Sequence, residues 1–438
     1  MVIYMALTFK GGIHPPENKN TENCPITVPT DPLYVRIPMS QHIGLPCIPT
    51  VKIGQTVAKG ELIGENKNGL SSPVHASISG KVTKIESAVN ANGRRDEYVV
   101  IENDFNHTVC ETTGMRAERI SEISTEEIID AVYRAGIVGM GGATFPTHAK
   151  IRSAMGKADK LIVNCAECEP YLTANYRLLI EHSKEVIFGA KILMKAIGIK
   201  KGFIAIEDNK PNAIELLKKE LKDDNLLSLK VLKTKYPQGD ERQLIYALEK
   251  RELPAGKLPA DLGYVVFNAE TCSAVYHALS YGMPVTDRVV TVDGDCIENP
   301  GNLLVPIGTP FIDLINYCGG YSRTPDRLIS GGPMMGAAQW DEYAPVIKGT
   351  AGVLALSRDT IHREIPNCIH CGKCVAACPM HLMPCYFAAY SKIGDYESCD
   401  TFGIRSCVEC GSCTFVCLGN VPIIQHIRIA KGNLQQKK

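Results

Sequence analysis

The chain has 438 residues, enough for about three domains of ordinary size. Its 47 Lys and Arg residues balance 47 Asp and Glu residues, which argues against a nucleic-acid binder that depends on overall positive charge. The composition, 45% hydrophobic and 21% charged, is that of a folded protein rather than a disordered one. No run of about 18 apolar residues occurs, so we expect no transmembrane helix.

The 18 cysteines are unevenly placed, because ten of them lie between Cys368 and Cys417. Disulfide scaffolds are typically short and secreted. This chain is long, and its first residues, MVIYMALTFKGG, lack the charged start and apolar core of a signal peptide. We therefore expect reduced thiols, with the C-terminal group serving a metal.

The N-terminal third changes character at about residue 30. Residues 1–30 are polar and Pro-rich, which predicts an irregular arm. Residues 31–110 hold short β-type runs separated by Gly, Asn and Pro, which is typical of a small sandwich or barrel. The segment SSPVHASISGKV resembles the hairpin of biotinyl and lipoyl domains, but it offers no lysine at the turn, so we expect no swinging arm.

The middle of the chain, residues 118–283, alternates helical and strand patterns. STEEIIDAVYRAG begins with a helix-capping pattern, and PNAIELLKKELKD is an amphipathic helix with a Pro start. KLIVNCA and KGFIAIED are short apolar runs typical of buried parallel strands. These patterns predict an α/β domain. A mixed module of strands and one helix follows at residues 284–345.

The C-terminal cysteines form one motif twice. The spacing C-x2-C-x2-C-x3-C of two-cluster ferredoxins occurs in both halves of residues 358–438. In this motif three thiolates hold one 4Fe–4S cluster and the fourth thiolate comes from the other repeat. The predicted ligand sets are Cys368, Cys371, Cys374 and Cys417 for one cluster and Cys407, Cys410, Cys413 and Cys378 for the other.

Other features of the tail support this interpretation. A zinc site usually pairs two C-x2-C hooks, which fits three-cysteine runs poorly. Gly372 and Gly411, each after a second cysteine, allow close backbone approach and a positive φ. Leu418 stands where such motifs usually have Pro, but that residue is not a ligand. Cys385 and Cys399 fall outside the spacing and are interpreted as packing residues.

Four further segments carry polar groups suited to a cofactor. The Gly-rich segment GMGGATFPT at 139–147 can present backbone N–H groups to a phosphate, with Lys150 adding charge, although a plain turn is the alternative. Asn164 ends a predicted strand, where α/β domains bind ligands. The pair Cys165 and Cys168 in the next segment is interpreted as incidental. The other two segments are YPQGDER and NAET.

Taken together these motifs resemble a known family. GMGGATFPT, NCAECEPYLTANYR, YPQGDERQLIYAL, LPADLGYVVFNAET and the ferredoxin tail, in this order, resemble the RnfC subunits of Rnf electron-transport complexes. That family is similar to the NADH- and FMN-binding subunit of respiratory complex I. FKGGIHPPENK and IPMSQHIGLPCIPTVKIGQTVAKGELIG extend the resemblance over nearly the whole chain. Residues 284–345 resemble a β-grasp SLBB module.

The resemblance implies a multidomain fold of α/β and α+β type. It consists of a barrel-sandwich domain, an α/β flavin-binding domain, the SLBB module and a helical two-cluster ferredoxin domain. It also implies a noncovalent FMN with a nicotinamide stacked on it, and no acid or base side chain for catalysis. The implied FMN-binding residues are Gly139, Gly141, Gly142, Ala143, Lys150, Asn164, Glu167, Tyr236, Gly239, Asp240, Asn268 and Thr271. The candidates on the nicotinamide side are Phe145, Glu169, Glu241 and Lys257.

Two positions depart from the complex I subunit. It has an Asp where this chain has Ala166, and an Arg in the Gly-rich loop where this chain has Met140. Because Ala166 replaces an Asp, the acidic cluster of the complex I subunit cannot be assigned residue by residue to this chain. The second places more of the phosphate contact on backbone N–H groups.

The function implied by the resemblance is that of the NAD(H)-reacting subunit of a membrane ferredoxin:NAD oxidoreductase. Its expected partners are the membrane subunits and a ferredoxin-accepting iron–sulfur subunit, which couple the reaction to Na⁺ or H⁺ translocation. We expect a peripheral position on the cytoplasmic side of the membrane, and no nucleic-acid partner. The alternatives are a stand-alone NADH-dependent reductase, such as a cobalamin reductase, and a ferredoxin-type adaptor without flavin.

Overall fold

The structure is a computed structural model that describes residues 7–90, 94–112, 114, 122–357 and 367–436. Parts of four predicted units lie outside the described residues. These parts are the first six residues of the arm, residues 91–93 of the barrel-sandwich domain, residues 118–121 of the α/β domain, and residues 358–366, 437 and 438 of the cysteine domain. The remaining chain contains the predicted mixture of α/β, all-β and helical units.

The N-terminal region is built from short strands in two small sheets, as predicted. The strands are β1 (Ile26–Thr27), β2 (Tyr34–Pro38), β3 (Ile48–Pro49), β4 (Thr56–Val57), β5 (Leu62–Glu65), β6 (Val74–His75), β7 (Gly80–Val89) and β8 (Arg95–Asn103). One sheet has the order β2-β8-β7-β4 and the other β3-β5-β6. Val35 and Ile37 alternate with more exposed residues on β2 and face the core between the sheets.

The predicted α/β domain follows. Its elements are α1 (Thr125–Arg134), α2 (Thr147–Ala154), β9 (Lys160–Cys165), α3 (Ala174–Ile197), β10 (Lys201–Glu207), α4 (Pro211–Glu220), β11 (Leu227–Leu232), α5 (Glu241–Glu249), β12 (Tyr264–Asn268) and α6 (Ala269–Tyr281). The four strands are parallel in the order β11-β10-β9-β12. The predicted start of α1 is confirmed, because Ser124 and Glu127 form a reciprocal capping box.

The third unit is a six-stranded sheet with one helix. It contains β13 (Asp287–Asp293), β14 (Gly301–Pro306), α7 (Phe311–Tyr317), β15 (Arg327–Ser330), β16 (Ala337–Gln339) and β17 (Gly352–Leu356). The strand order is β1-β14-β13-β17-β15-β16. Two members of this sheet lie outside the predicted module of 284–345, since β1 comes from the arm and β17 follows residue 345. The sheet therefore joins segments that are distant in sequence.

The C-terminal unit is helical. Its helices are α8 (Lys373–Ala377), α9 (Pro384–Lys392), α10 (Tyr396–Thr401), α11 (Ser412–Phe415) and α12 (Ile423–Gln436). They enclose a small core around Phe387, Cys399 and Ile427, all fully buried. None of the helices in the described ranges is long and apolar enough to cross a membrane.

The N-terminal arm ties these units together. The backbone of Ile13 exchanges two hydrogen bonds with Tyr236, at 2.9 and 3.0 Å, and Gly12 N–H donates to Ala377 O at 2.9 Å. Further along, Asn20 Nδ2 donates to Asp293 Oδ1 at 3.1 Å. The arm thus contacts the α/β, cysteine and six-stranded units in turn.

Lys348 is a fully buried lysine where three units meet. Its Nζ donates to Pro73 O and to Gly136 O, both at 2.7 Å. Its backbone N–H donates to Gln41 Oε1 at 3.0 Å. Burial lowers the pKa of this lysine to about 7. One side chain therefore links the sandwich, the turn that follows α1, and the segment between β16 and β17 of the six-stranded unit.

We predict that Lys348→Met destabilises the protein. The substitution keeps most of the side-chain length but leaves two buried carbonyls without their donor, which costs about 2–4 kcal/mol. Urea unfolding measures the loss, and Lys184→Met at an exposed position of α3 is the matched control. Equal unfolding midpoints for both variants would contradict this role.

Candidate flavin and iron–sulfur sites

The Gly-rich loop is fastened to the start of α6. Met140 N–H donates to the buried Thr271 Oγ1 at 2.9 Å, and Arg288 Nη2 donates to Met140 O at 3.2 Å. The base of the loop closes on itself, since Gly139 N–H donates to Phe145 O at 2.9 Å. The loop is therefore a fixed turn held from both sides.

The glycines of this loop leave room for a ligand. A Cβ on Gly141 would lie 3.4 Å from the Asn268 side chain, so the backbone packs closely there. Gly142 has φ +107°, which side chains of L-residues rarely allow, and a Cβ there would meet nothing within 4 Å. Residues Gly141 to Ala143 are exposed. An open backbone turn beside a helix N-terminus fits a phosphate-bearing cofactor.

Two predicted asparagines stand side by side at the carboxyl edge of the parallel sheet. Asn164, the last residue but one of β9, lies directly opposite Asn268, which ends β12. Asn164 Nδ2 donates to Gly239 O at 2.8 Å, and Asn268 Oδ1 accepts from Glu270 N–H at 2.9 Å. The structure thus brings the Gly-rich loop, both strand ends and the YPQGDER segment to one place.

Gln238 is a residue of this site that the sequence patterns did not single out. It is fully buried, yet neither its Oε1 nor its Nε2 has a hydrogen-bond partner among the described residues. A buried amide of this kind is normally satisfied. Gln238 precedes Gly239 in the YPQGDER segment. Its unpartnered amide is therefore placed where a polar ligand could bind it. The signal in the sequence that could have identified Gln238 is its position between two predicted FMN-binding residues, Tyr236 and Gly239.

Lys150 and Glu241 form an ion pair, although the family resemblance assigns Lys150 to FMN and Glu241 to the nicotinamide. Lys150 Nζ donates to Glu241 Oε1 at 2.5 Å. The neighbouring Asp240 caps α5 by accepting from the N–H groups of Arg242 and Gln243. Burial raises the pKa of Asp240 to about 6. The predicted phosphate side and nicotinamide side are therefore joined by one ion pair.

Glu167 is already engaged within the protein. Its carboxylate accepts from the N–H groups of Asn175 at 2.7 Å and Tyr176 at 3.0 Å, at the start of α3. Burial raises its pKa, and the nearby Lys19 opposes this shift. These bonds shape the loop that follows β9.

Glu169 points toward the six-stranded unit. Its carboxylate accepts from Met334 N–H at 3.0 Å and Met335 N–H at 2.9 Å, and Tyr236 Oη donates to it at 3.4 Å. Its oxygens bind backbone groups of a distant turn, and the nicotinamide-side role that we expect for Glu169 stays a prediction. Of the other candidates on that side, Phe145 is half-buried in the loop and Lys257 is exposed.

Tyr236 joins the cofactor loops of two units. It is almost fully buried, and its hydroxyl donates to Cys410 O at 2.7 Å. Ile13, Tyr236, Ala377 and Cys410 form one small apolar cluster. A flavin-side loop therefore contacts the second cysteine run directly.

One predicted cysteine set surrounds a cavity. Its lining includes Cys378 and Cys407 together with Cys410 and Cys413. Leu382 N–H donates to Cys378 Sγ, and Glu409 N–H donates to Cys407 Sγ, both at 3.4 Å. Within the described ranges no three His, Cys, Asp or Glu side chains are placed to hold a single metal ion. Four thiols around a space with N–H donors fit an iron–sulfur cluster.

The other set is more open. Cys368 and Cys371 are exposed, Cys374 is buried, and Val421 N–H donates to Cys417 Sγ at 3.3 Å. The two repeats have matching backbones, since Gly372 and Gly411 both have the positive φ that we expected. His370 and Glu409, which lie two positions before these glycines, also have a positive φ. The paired loops are therefore equivalent in conformation and differ in exposure.

Comparison with known families agrees with this architecture. Residues 7–106 match the RnfC barrel sandwich hybrid domain, residues 132–277 match the Nuo51 FMN-binding domain, and residues 289–338 match the SLBB domain. A solved NAD⁺-reducing [NiFe]-hydrogenase in the H₂-reduced state shares the fold, at 20% identity and a TM-score of 0.50. That similarity covers 74% of this chain and 64% of the hydrogenase chain. The domains and cysteine loops define the class: an electron-transfer protein for FMN and iron–sulfur clusters.

Similar curated proteins define the family. A component of the Na⁺-translocating ferredoxin:NAD⁺ oxidoreductase complex of Acetobacterium woodii is 45% identical, covering 98% of this chain and 97% of the relative. Its counterpart in the proton-translocating ferredoxin:NAD⁺ oxidoreductase complex of Clostridium ljungdahlii is 43% identical, covering 98% and 94%. The counterpart in the ion-translocating oxidoreductase complex of Rhodobacter capsulatus is 40% identical, covering 99% and 84%. The chain belongs to the RnfC family.

We predict a pH dependence of stability from Glu169. Burial raises its pKa from an ordinary value of 4.5 to about 7. Between these values the native protein holds a proton that the unfolded chain has released, so this residue's contribution to stability falls as the pH rises. Urea unfolding from pH 4.5 to 7 should show wild-type stability falling relative to Glu169→Gln. A constant difference between the two proteins would refute the assignment.

Proposed function

We propose that this chain is the NAD(H)-reacting subunit of an ion-translocating ferredoxin:NAD oxidoreductase complex. It would pass electrons between NAD and two 4Fe–4S clusters through FMN. The observation that carries the proposal is the contact of Tyr236 with Cys410 O. It connects the loop beside Asn164 and Gly239 to a cysteine run without an intervening domain. A flavin-less adaptor would have no use for the open, anchored Gly-rich turn.

A nicotinamide exchanges a hydride whereas a cluster takes one electron at a time, and FMN, when bound, can do both. The residues of this chain would bind FMN and the nicotinamide and orient them toward each other. The backbone of Gly139 to Ala143, with the positive end of α6 behind it, suits the phosphate. The residues proposed to hold FMN are Gly139, Gly141, Gly142, Ala143, Lys150, Asn164, Gln238, Gly239, Asp240, Asn268 and Thr271.

Two residues of the expected flavin set have a positioning role here. Glu167 shapes the loop after β9 through its bonds to α3, and Tyr236 holds the cysteine run against the flavin side. For the nicotinamide we propose Phe145, Glu241 and Lys257. Glu241 forms an ion pair with Lys150. A nicotinamide nucleotide that binds at Glu241 would therefore either replace Lys150 as its partner or bind beside the intact pair.

The geometry suggests an order for the two clusters. The inner cluster would be held by Cys378, Cys407, Cys410 and Cys413, next to Tyr236. The outer cluster would be held by Cys368, Cys371, Cys374 and Cys417, whose first two thiols are exposed. Electrons would thus pass between NAD, FMN, the inner cluster and the outer cluster, in either direction.

The partners follow from the same proposal. The exposed outer cluster would face another redox protein of the complex, and membrane subunits and a ferredoxin-accepting iron–sulfur subunit would complete it. We propose a peripheral position on the cytoplasmic side of the membrane. The relatives named for Na⁺ and for protons are 45% and 43% identical to this chain. We propose that the coupling ion is set by other subunits, a proposal with which these similar values are consistent.

The test is anaerobic reconstitution with FMN, iron and sulfide, followed by NADH titration under visible absorbance and EPR. We expect NADH to bleach bound flavin and to reduce 4Fe–4S clusters. Clusters without bound flavin, or flavin that NADH cannot reduce, would overturn the proposal.

We predict that the order of the clusters can be read from two variants. Cys407→Ala removes an inner ligand, so NADH should still bleach the flavin but reduce the outer cluster at least tenfold more slowly. Cys368→Ala removes an outer ligand, so the inner cluster should be reduced at the wild-type rate. Stopped-flow absorbance with freeze-quench EPR measures both rates. The opposite pattern would reverse the order.

A further inference from the structure

The first turn of α5 contacts both the flavin side and the cysteine unit. Asp240, which caps this helix and is among the residues proposed for FMN, accepts from Gln243 N–H at 3.2 Å. The side chain of Gln243 is buried, and its Nε2 donates to Met380 Sδ at 3.2 Å. One helical turn thus joins a flavin-side residue to the first cysteine run.

Met380 belongs to the wall of the inner cavity. It follows Cys378 by two residues and lines the same cavity as the inner cysteine set. The short turn around it closes on Cys378, because His381 N–H donates to Cys378 O at 3.2 Å and Leu382 N–H donates to Cys378 Sγ at 3.4 Å. A bond that fixes Met380 therefore also restricts Cys378.

Cys378 is the one member of the inner set that comes from the first cysteine run, since its three partners come from the second. The second run is bonded to the flavin side by Tyr236, whose hydroxyl donates to Cys410 O. That bond does not reach Cys378. The bond from Gln243 is a separate anchor for the first run, so residues 236–243 hold both sources of the inner set.

The corresponding position of the second repeat has no such anchor. Gly419 follows Cys417 by the same interval as Met380 follows Cys378. Gly419 has no side chain that could accept a bond, and a Cβ there would lie 2.4 Å from Asn367 O. The amide-to-thioether contact is therefore a feature of the inner set and is not repeated at this position of the outer set.

We propose that Gln243 is a positioning residue that holds Cys378, and with it the inner cluster, against the flavin side by donating to Met380 Sδ. This inference rests on the proposed function, since it takes the inner cysteines as cluster ligands. A methionine side chain has three rotatable bonds, so it needs a fixed contact to keep one conformer. Electron transfer between two bound groups depends on their separation, so a loosened first run would slow the exchange.

The first measurement is hydrogen–deuterium exchange on the full chain reconstituted with iron and sulfide but without FMN. It compares the peptides that cover residues 378–384 and 407–413. Gln243→Leu removes the donor, and Met380→Leu removes the acceptor at nearly constant volume. Tyr236→Phe removes the anchor of the second run.

Two matched controls make the same chemical changes at exposed positions. Gln425→Leu lies on α12, and Met155→Leu lies directly after α2. The bond of the arm to Ala377 O joins two backbone groups, so none of these substitutions removes it.

We expect Gln243→Leu to raise exchange in residues 378–384 about threefold to tenfold, the range that the loss of one hydrogen bond supports. Met380→Leu should give a similar rise. The double variant should exchange no faster than either single variant, because all three lack the same contact. Exchange in residues 407–413 should stay unchanged in these variants and should rise in Tyr236→Phe. The two controls should match the wild type.

The second measurement adds FMN and NADH and follows the reaction by stopped-flow absorbance with freeze-quench EPR. In Gln243→Leu, NADH should bleach the flavin at the wild-type rate, whereas the inner cluster should be reduced about threefold more slowly. A residue that only stabilised the fold would not separate these two steps.

Four results would overturn the proposal. These are unchanged exchange in residues 378–384, an equal rise in residues 378–384 and 407–413, effects that multiply in the double variant, and an inner cluster reduced at the wild-type rate. Because the exchange measurement uses neither FMN nor NADH, its outcome is independent of flavin and nicotinamide binding. A wild-type protein whose bound flavin NADH cannot reduce would instead count against the proposed function.

Discussion

The flavin-side architecture depends on a buried ion pair between Glu270 and Arg288. The two side chains meet at 2.5 Å, and Glu270 also accepts from Val289 N–H at 2.9 Å. The same guanidinium donates to Met140 O in the Gly-rich loop and to Lys348 O. Burial raises the pKa of Glu270 and lowers that of Arg288, and each charge compensates the other. Removing either would leave an uncompensated buried charge, so the loop's position is coupled to the six-stranded unit.

A half-buried lysine on the arm shapes the other side of the site. Lys19, on the arm, donates to the carbonyls of Glu167, Glu169 and Leu172 at 2.9, 2.8 and 2.6 Å. Desolvation lowers its pKa, while the nearby Glu167 opposes that shift. The loop after β9 thus takes its shape from a segment that precedes the first domain. Both sides of the flavin region are therefore held by charges that come from other units of the same chain.

Features set by local sequence were predictable, and features set by distant contacts were not. The capping box at Ser124, the strand that carries Asn164 near its end and the positive φ at Gly372 all depend on neighbouring residues. The partners of Glu169 are backbone groups at Met334 and Met335, which no local pattern connects to it. The unmet amide of Gln238 is visible only once burial is known.

The arm gives the protein an unusual relation between synthesis and folding. Gly12 leaves the ribosome long before Ala377, yet its N–H donates to that residue's carbonyl. The sandwich and the α/β domain can close during translation, whereas Ile13 reaches its apolar neighbours Ala377 and Cys410 only after the tail is made. In a chain truncated before the cysteine repeats, Ile13 could still bond the backbone of Tyr236 but would lack its apolar neighbours Ala377 and Cys410.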